Sequence, residues 1–433
     1  MADRSLRFPQ ATMTENKKLI VRIKRFWRIL GPGLITGASD DDPSGIATYS
    51  QAGAGFGLAT LWTALITFPL MASIQEMCAR IGMVTSQGLT GTLKRHYSRP
   101  LLYTMVLFSF PAIVLNIGAD IAGMGAVATL LFPGVHANYF SLGFTIILLV
   151  AIIYLPYQKI ASILKYLCSF LLVYLIVPFL FKQDWPALIR ATFIPTLKFN
   201  SDFIGILVAI LGTTISPYLF FWQATMAVED MNHKKRHLIV DKRLIQSMNM
   251  DVYFGMFFSN LVMFFIILTT GTVLFNGGIH QIDTVEQAAQ ALEPLAGKGA
   301  YILFSLGVIG TGFLAIPVLS GSLSYIVSEV FGWEEGLDKK FHEAKPFYLV
   351  VTVSLILGLL INHVGISPIK ALIYTATLYG ITSPVIIAIV LHISNNKKIM
   401  GEHTNGRRSN ILGVTTFALM TISVLFLLYT LSR

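Results

Sequence analysis

Asp40-Asp41-Asp42-Pro43-Ser44-Gly45 interrupts an apolar run that covers residues 29–55 and opens with Gly31-Pro32-Gly33. Fourteen residues separate Arg28, the last basic residue before that run, from Asp42. At about 1.5 Å per residue that is about 21 Å of helix, well inside a hydrocarbon layer of about 30 Å. Carboxylates at that depth are expensive unless they face protein, water or a cation. Pro43 removes a backbone donor and pushes Asp42 out of helical geometry, while Gly45 lets the chain leave the helix or another group come close. Two half-helices with an unwound joint are expected.

The rest of the chain says what solvent surrounds this joint. Its 433 residues are 54% hydrophobic and only 12% charged, with a mean hydropathy of +0.68; a soluble fold carries about a quarter charged residues. The fold class is therefore an all-α polytopic membrane protein with the lipid bilayer as partner, and disorder, coiled coil and a secreted disulfide scaffold are excluded. Cys78 and Cys168 both lie in apolar runs, which removes a disulfide framework or a cysteine zinc site. Eleven apolar stretches are expected to span: 29–55, 57–83, 101–132, 138–155, 160–181, 201–229, 249–275, 299–330, 346–364, 367–393 and 410–431. Residues 1–28 form a basic leader, and 29–433 form one transmembrane domain. The first stretch is too long and too interrupted for a cleavable signal.

With the leader in the cytoplasm, Lys94, Arg95, Arg99, Lys159, Lys234 to Arg236, Lys242, Arg243, Lys339, Lys340, Lys345, Lys397, Lys398, Arg407 and Arg408 fall on the same side. The opposite loops keep only Lys182, Arg190, Lys198, Lys298 and Lys370. That bias predicts a cytoplasmic N-terminus and, after eleven spans, a C-terminus on the other side. The formal charge of +10 is then topology rather than a nucleic-acid surface. No Gly-x4-Gly-Lys-Ser/Thr loop offers a nucleotide site, and no nucleophile–base constellation supports an enzyme.

The sixth span repeats the logic of the first at Thr213-Thr214-Ile215-Ser216-Pro217-Tyr218, followed by Gln223. Interrupted segments that open each block of five spans point to an inverted-repeat transporter binding at the membrane midplane. Unwound carbonyls beside the Asp42 carboxylate suit a hard cation, which takes several oxygen ligands.

At these residues the chain resembles the NRAMP family of divalent-metal transporters. Gly31-Pro-Gly-Leu, Asp42-Pro-Ser-Gly-Ile-Ala-Thr, Gln51-Ala-Gly-Ala, Phe56-Gly, Leu61-Trp, Ala79-Arg-Ile-Gly and Val84-Thr follow the family's first two helices, and Ala119-Asp120 and Ser216-Pro217 extend the likeness. The resemblance implies a LeuT-like inverted repeat (spans 1–5 and 6–10, helices 1 and 6 broken), alternating access, and proton-coupled uptake of ions such as manganese and iron. The metal would be substrate, with no resident cofactor. Departures place the chain in a divergent branch similar to NRAMP-related magnesium transporters. The family's Asp-Pro-Gly-Asn reads Asp42-Pro43-Ser44-Gly45, its Met-Pro-His reads Ser216-Pro217-Tyr218, its next histidine is Gln223, and the acid three residues after Asp120 is Gly123.

Losing the thioether removes a soft ligand that favours transition metals, and glycine and serine are expected to enlarge the cavity, which suits magnesium retaining some of its water; manganese stays compatible. The metal-site candidates are Asp42, Gly45, Ile215, Ser216, Tyr218 and Gln223. Asp40, Asp41, Glu76, Asp120 and Asn260 are candidates for the pathway or for proton linkage. Asp40 and Asp41 stand about 200° and 100° of helix rotation from Asp42, so the three share a site only if the helix unwinds early. Glu76 and Asp120 are candidates for carrying protons, lining an aqueous path, or pairing with Arg80 or a backbone donor. Asn260 fits either a helix–helix hydrogen bond or a pathway contact. All nine histidines fall in loops or near span ends, which argues for weak or absent proton coupling. Two other functions fit the same scaffold: carriage of an organic substrate such as an amino acid, and a non-transporting membrane sensor.

Overall fold

A computed structural model describes residues 32–155, 159, 174–181, 184–233, 242–362 and 365–432. The basic leader and most of the expected 160–181 span lie outside the described residues. In chain order, α1 (Pro32–Asp40) and α2 (Pro43–Phe56) are followed by α3 (Trp62–Thr85), α4 (Leu89–His96), α5 (Arg99–Leu131), α6 (Ala137–Tyr154), α7 (Trp185–Phe193), α8 (Ser201–Thr214), α9 (Pro217–His233) and α10 (Lys242–Thr270). Two short helices, α11 (Val285–Ala289) and α12 (Glu293–Ala296), lead to α13 (Ala300–Phe331), α14 (Lys345–Ile361), α15 (Pro368–Asn395), α16 (Lys397–Met400) and α17 (Arg407–Leu431). No strand occurs among the described residues.

Seven helical stretches among the described residues are long and apolar enough to cross a membrane, and eight if the pair Pro43–Thr60 and Trp62–Thr85, bent by 108°, counts as one. The chain is a multi-pass membrane protein, and intrahelical bonding satisfies its backbone where water is absent. Leu142, Ile146, Val150, Leu360, Ile422 and Leu425 point outward from α6, α14 and α17, as apolar surroundings allow.

Local chemistry sets both breaks. Pro43 begins α2 and holds Asp42 in extended backbone, φ −68° and ψ 171°, as the residue before a proline prefers. Pro217 begins α9 in the same way, and Ile215 leaves the helix with φ −114° and ψ 57°. The second expected span starts later than residue 57: Gly57, at φ +61°, ends α2 and opens a tight turn, so regular helix resumes only at Trp62.

The half-helix α1 lies along α10, where a side chain at Gly37 would meet the Gly255 carbonyl at 2.2 Å. α2 packs against α8, α10, α15 and α5, and α5 in turn contacts α6, α13, α14 and α15. Both joints are thereby enclosed by helices. The connecting segments gather in two sets. At one end Lys94 reaches the Glu329 carbonyl, Tyr97 meets His392, and Arg80 donates to the carbonyls of His403 and Thr404. At the other end Lys370 pairs with Asp283 at 3.7 Å, and Gln51 bonds the backbone of His280 and Ile282.

Candidate functional site

Asp42 caps α2. Its Oδ1 accepts from the Gly45 amide and from Ser44 Oγ, each at 2.7 Å, placing a carboxylate on the positive end of a helix. Its Oδ2 accepts from Asn116 Nδ2 of α5 at 2.9 Å. Asp42 is 1% exposed.

The two joints touch at Gly45. A Cβ there would lie 3.2 Å from the Asp40 carbonyl and 3.3 Å from Thr213 Oγ1, so this approach depends on the missing side chain. The gap expected from glycine is therefore closed in this conformation. Ser216 turns its hydroxyl back to the carbonyls of Thr213 (2.5 Å) and Gly212 (3.1 Å), and the Ile215 carbonyl accepts from Ser383 of α15 at 3.0 Å. Tyr218 donates to the Ser39 carbonyl at 2.9 Å, and Tyr49 meets Thr214 at 3.3 Å. These bonds tie α9 to the end of α1 and α2 to α8. Gln223 Oε1 accepts from Thr36 at 2.6 Å, and its residue lines a cavity of about 70 Å³ with Pro32 and Asp251.

α1 stops at Asp40, so no continuous helix fixes the rotation of Asp40 and Asp41 relative to Asp42. Ser259 of α10 donates to Asp40 Oδ2 at 2.8 Å and approaches Asp41 Oδ1 at 3.3 Å. Asp120 faces the Asp42 carboxylate, and the Ser44 backbone amide is the donor directed at it. Asp40, Asp41, Asp42 and Asp120 are each at most 2% exposed. Among the described residues no basic side chain pairs with any of them, although burying a carboxylate costs several kcal/mol unless a charge compensates it. No three His, Cys, Asp or Glu side chains among the described residues converge in metal-holding geometry. A cation here would need hydroxyl, amide and carbonyl oxygens besides the acids.

Residues 33–430 match the family described as natural resistance-associated macrophage protein-like, Nramp. The chain belongs to the Nramp family. This Nramp chain is 24% identical over 426 residues to the divalent metal cation transporter MntH of Caldanaerobacter subterraneus subsp. tengcongensis, covering 96% of each. It superimposes on a manganese transporter of Eremococcus coleocola with a TM-score of 0.73 at 17% identity, covering 92% of this chain and 86% of that one. MhsT, solved in complex with L-phenylalanine, shares the fold more distantly, with a TM-score of 0.61 at 12% identity over 93% and 98% of the two chains. MntH and the Eremococcus protein are metal transporters, not enzymes, and the metal is their substrate rather than a cofactor.

Two predicted residues of this Nramp chain sit away from the joints. Glu76 pairs with Arg80 at 3.1 Å, and Arg80 also holds Asn405, fastening α3 to the segment before α17. Asn260 accepts from Thr67 at 2.7 Å and donates to the Met256 carbonyl, joining α10 to α3. Sequence reasoning missed Asn116, Ser259, Thr36 and Ser383. Of these Asn116 left a signal, being a polar residue four before Asp120 in an apolar span.

A larger cavity of about 840 Å³ opens at the Lys94 end, between α4, α9, α13 and the segment after α13. Glu229, Glu329, Glu335 and Asp338 line it together with Lys94, Arg95 and Lys339. The Glu335 carboxyl is pushed up to about 9 by burial and by the neighbouring Glu329 and Glu229. Glu329 accepts from the Gly91 amide at 2.8 Å and so caps α4.

Proposed function

We propose that this Nramp protein moves a hard divalent cation, magnesium with manganese as competitor, by alternating access and with weak or no coupling to protons. The observation that carries the reading is the buried set Asp40, Asp41, Asp42 and Asp120, which has oxygen-bearing neighbours and no basic partner among the described residues. A divalent cation compensates several carboxylates at once, and an oxygen surround suits a hard one. Hydroxyls stand at Ser216 and Tyr218, where the family resemblance leads one to look for a thioether and an imidazole. Relatives named as divalent-metal and manganese transporters support the substrate class.

The scaffold in this reading has eleven spans, with spans 1–5 and 6–10 as inverted repeats and the joints at 42–43 and 215–217 as equivalent positions. The N-terminus is cytoplasmic. The basic segments around Lys94 and Lys339 line one cavity, which supports a common side for them. Tight contact at Gly45 means that cation passage requires α1–α2 and α8–α9 to separate, as alternating access supplies. Weak proton coupling is supported by Gly123 and Gln223 standing where a carboxylate and an imidazole would serve a relay.

Binding calorimetry with magnesium, manganese, calcium and amino acids tests the proposal. Heat with magnesium and manganese, each abolishing the other's signal, is the expected result; heat with an amino acid alone would replace this reading with an organic substrate.

A further inference from the structure

Residue 45 is glycine, so it supplies no side-chain amide to the joint, yet one reaches it from another direction. Asn116 of α5 is fully buried and aims Nδ2 at Asp42 Oδ2 from 2.9 Å. With Asp42 ionised its carboxylate only accepts, and the bond then takes the nitrogen end of the amide. The other end, Oδ1, is buried and accepts no hydrogen bond. Buried amide oxygens are ordinarily paired, and such an exception calls for a physical cause. The nearby donors Ser44 Oγ and Gly45 N are committed to Asp42 Oδ1, and the Ser44 backbone amide is directed at Asp120, one turn further along α5.

We propose that Asn116 is a ligand of the transported cation, its side-chain amide making a half-turn about χ2 that brings Oδ1 to the place Nδ2 now holds. The proposal rests on Asp42 being a cation ligand. Octahedral magnesium holds its oxygens at about 2.0–2.1 Å, so two neighbouring ligand oxygens at right angles lie about 2.9 Å apart. Nδ2 stands at that separation from Asp42 Oδ2. The half-turn breaks one hydrogen bond, since nothing donates to Oδ1. One side chain then serves both states: its N–H holds the Asp42 carboxylate when no cation is bound, and its oxygen takes the cation when one arrives. The amide oxygen that α2 lacks comes from α5, and the ligand pair Asp42–Asn116 is hard, favouring magnesium and manganese over softer ions.

Asn116→Cys and Asn116→Asp in the full chain test this, with magnesium and cadmium binding measured by calorimetry. A ligand role predicts that Asn116→Cys moves the cadmium-to-magnesium affinity ratio at least about tenfold toward cadmium, because a soft sulfur replaces an oxygen on the ion. Asn116→Asp keeps an oxygen ligand and should retain magnesium binding. If Asn116 only positions Asp42, cysteine weakens both ions by the same factor and leaves the ratio unchanged, which overturns the proposal. Should the cysteine variant fail to fold, loss of magnesium binding in Asn116→Asp overturns it equally. Failure of the wild type to bind either ion, with Asp42→Asn no different, would instead sink the cation reading of Asp42.

Discussion

Asp42 does two jobs that substitution can separate: it caps α2 and it places charge at the joint. Asp42→Asn keeps an acceptor for Ser44 and Gly45, and asparagine caps helices about as well as aspartate. Asn116 has an unpaired Oδ1 with which to meet the new amide, so the stability of this variant should stay within about 1 kcal/mol of wild type. Asp42→Ala deletes the cap, costing about 0.5–2 kcal/mol, and strands the Asn116 donor, costing about 1–3 kcal/mol. Removal of a buried charge offsets part of that, which leaves a net loss of about 1–3 kcal/mol. For cation binding the two variants should be alike. Removing the charge from a buried ligand costs about 2–5 kcal/mol, which is about 30-fold to several thousandfold in affinity. Thermal unfolding in detergent and uptake into liposomes loaded with a magnesium-sensitive dye measure the two effects separately. Wild-type uptake by a stably folded Asp42→Asn would refute the assignment of Asp42.

Three further outcomes follow from the same geometry. Metal uptake should proceed without a matching inward proton flux, read by a pH dye inside the liposomes; a flux proportional to uptake would point first to Asp120. The Glu335 carboxyl, held near 9 in the fold against an ordinary 4.5, keeps its proton where the unfolded chain has released it. Its contribution therefore lowers stability as pH rises between those values, and Glu335→Gln should flatten that fall in a pH series of thermal unfolding; an unchanged slope counts against the assigned burial. Gly45→Asn with Ser216→Met should favour manganese over magnesium by restoring an amide and a thioether. The contact of 3.2 Å that a side chain at residue 45 makes with the Asp40 carbonyl predicts a stability loss for this double variant, and equal uptake of both ions by it would contradict the ligand argument.

Both breaks could be read from sequence because their cause is local: a proline acts on the residue before it, and the structure is out of the helix at Asp41–Asp42 and at Ile215–Ser216. The pairing of Asp42 with Asn116 could not, since it joins residues 74 apart and depends on how α5 lies against α2. The same holds for Ser259, which meets both Asp40 and Asp41 across 219 and 218 residues. Rotation angles along a continuous helix separated those two acids from Asp42, and that reasoning stops applying where α1 ends at Asp40. The room left by Gly45 was also misjudged, because composition reports a missing side chain but not the Thr213 hydroxyl and Asp40 carbonyl that close on it. Expected span five falls largely outside the described residues, and Glu76 proved to be held by Arg80, one of the pairings its sequence context offered.

The central claim is that an oxygen-lined joint around Asp42 takes a hard divalent cation without preferring a softer one. Uptake of manganese by the wild-type protein in liposomes, measured against increasing magnesium under one set of conditions, tests it most directly. Magnesium should inhibit competitively, with an affinity within about tenfold of that for manganese. Manganese uptake that is unaffected by magnesium at about a hundredfold excess, a margin of about 2.7 kcal/mol, would contradict it.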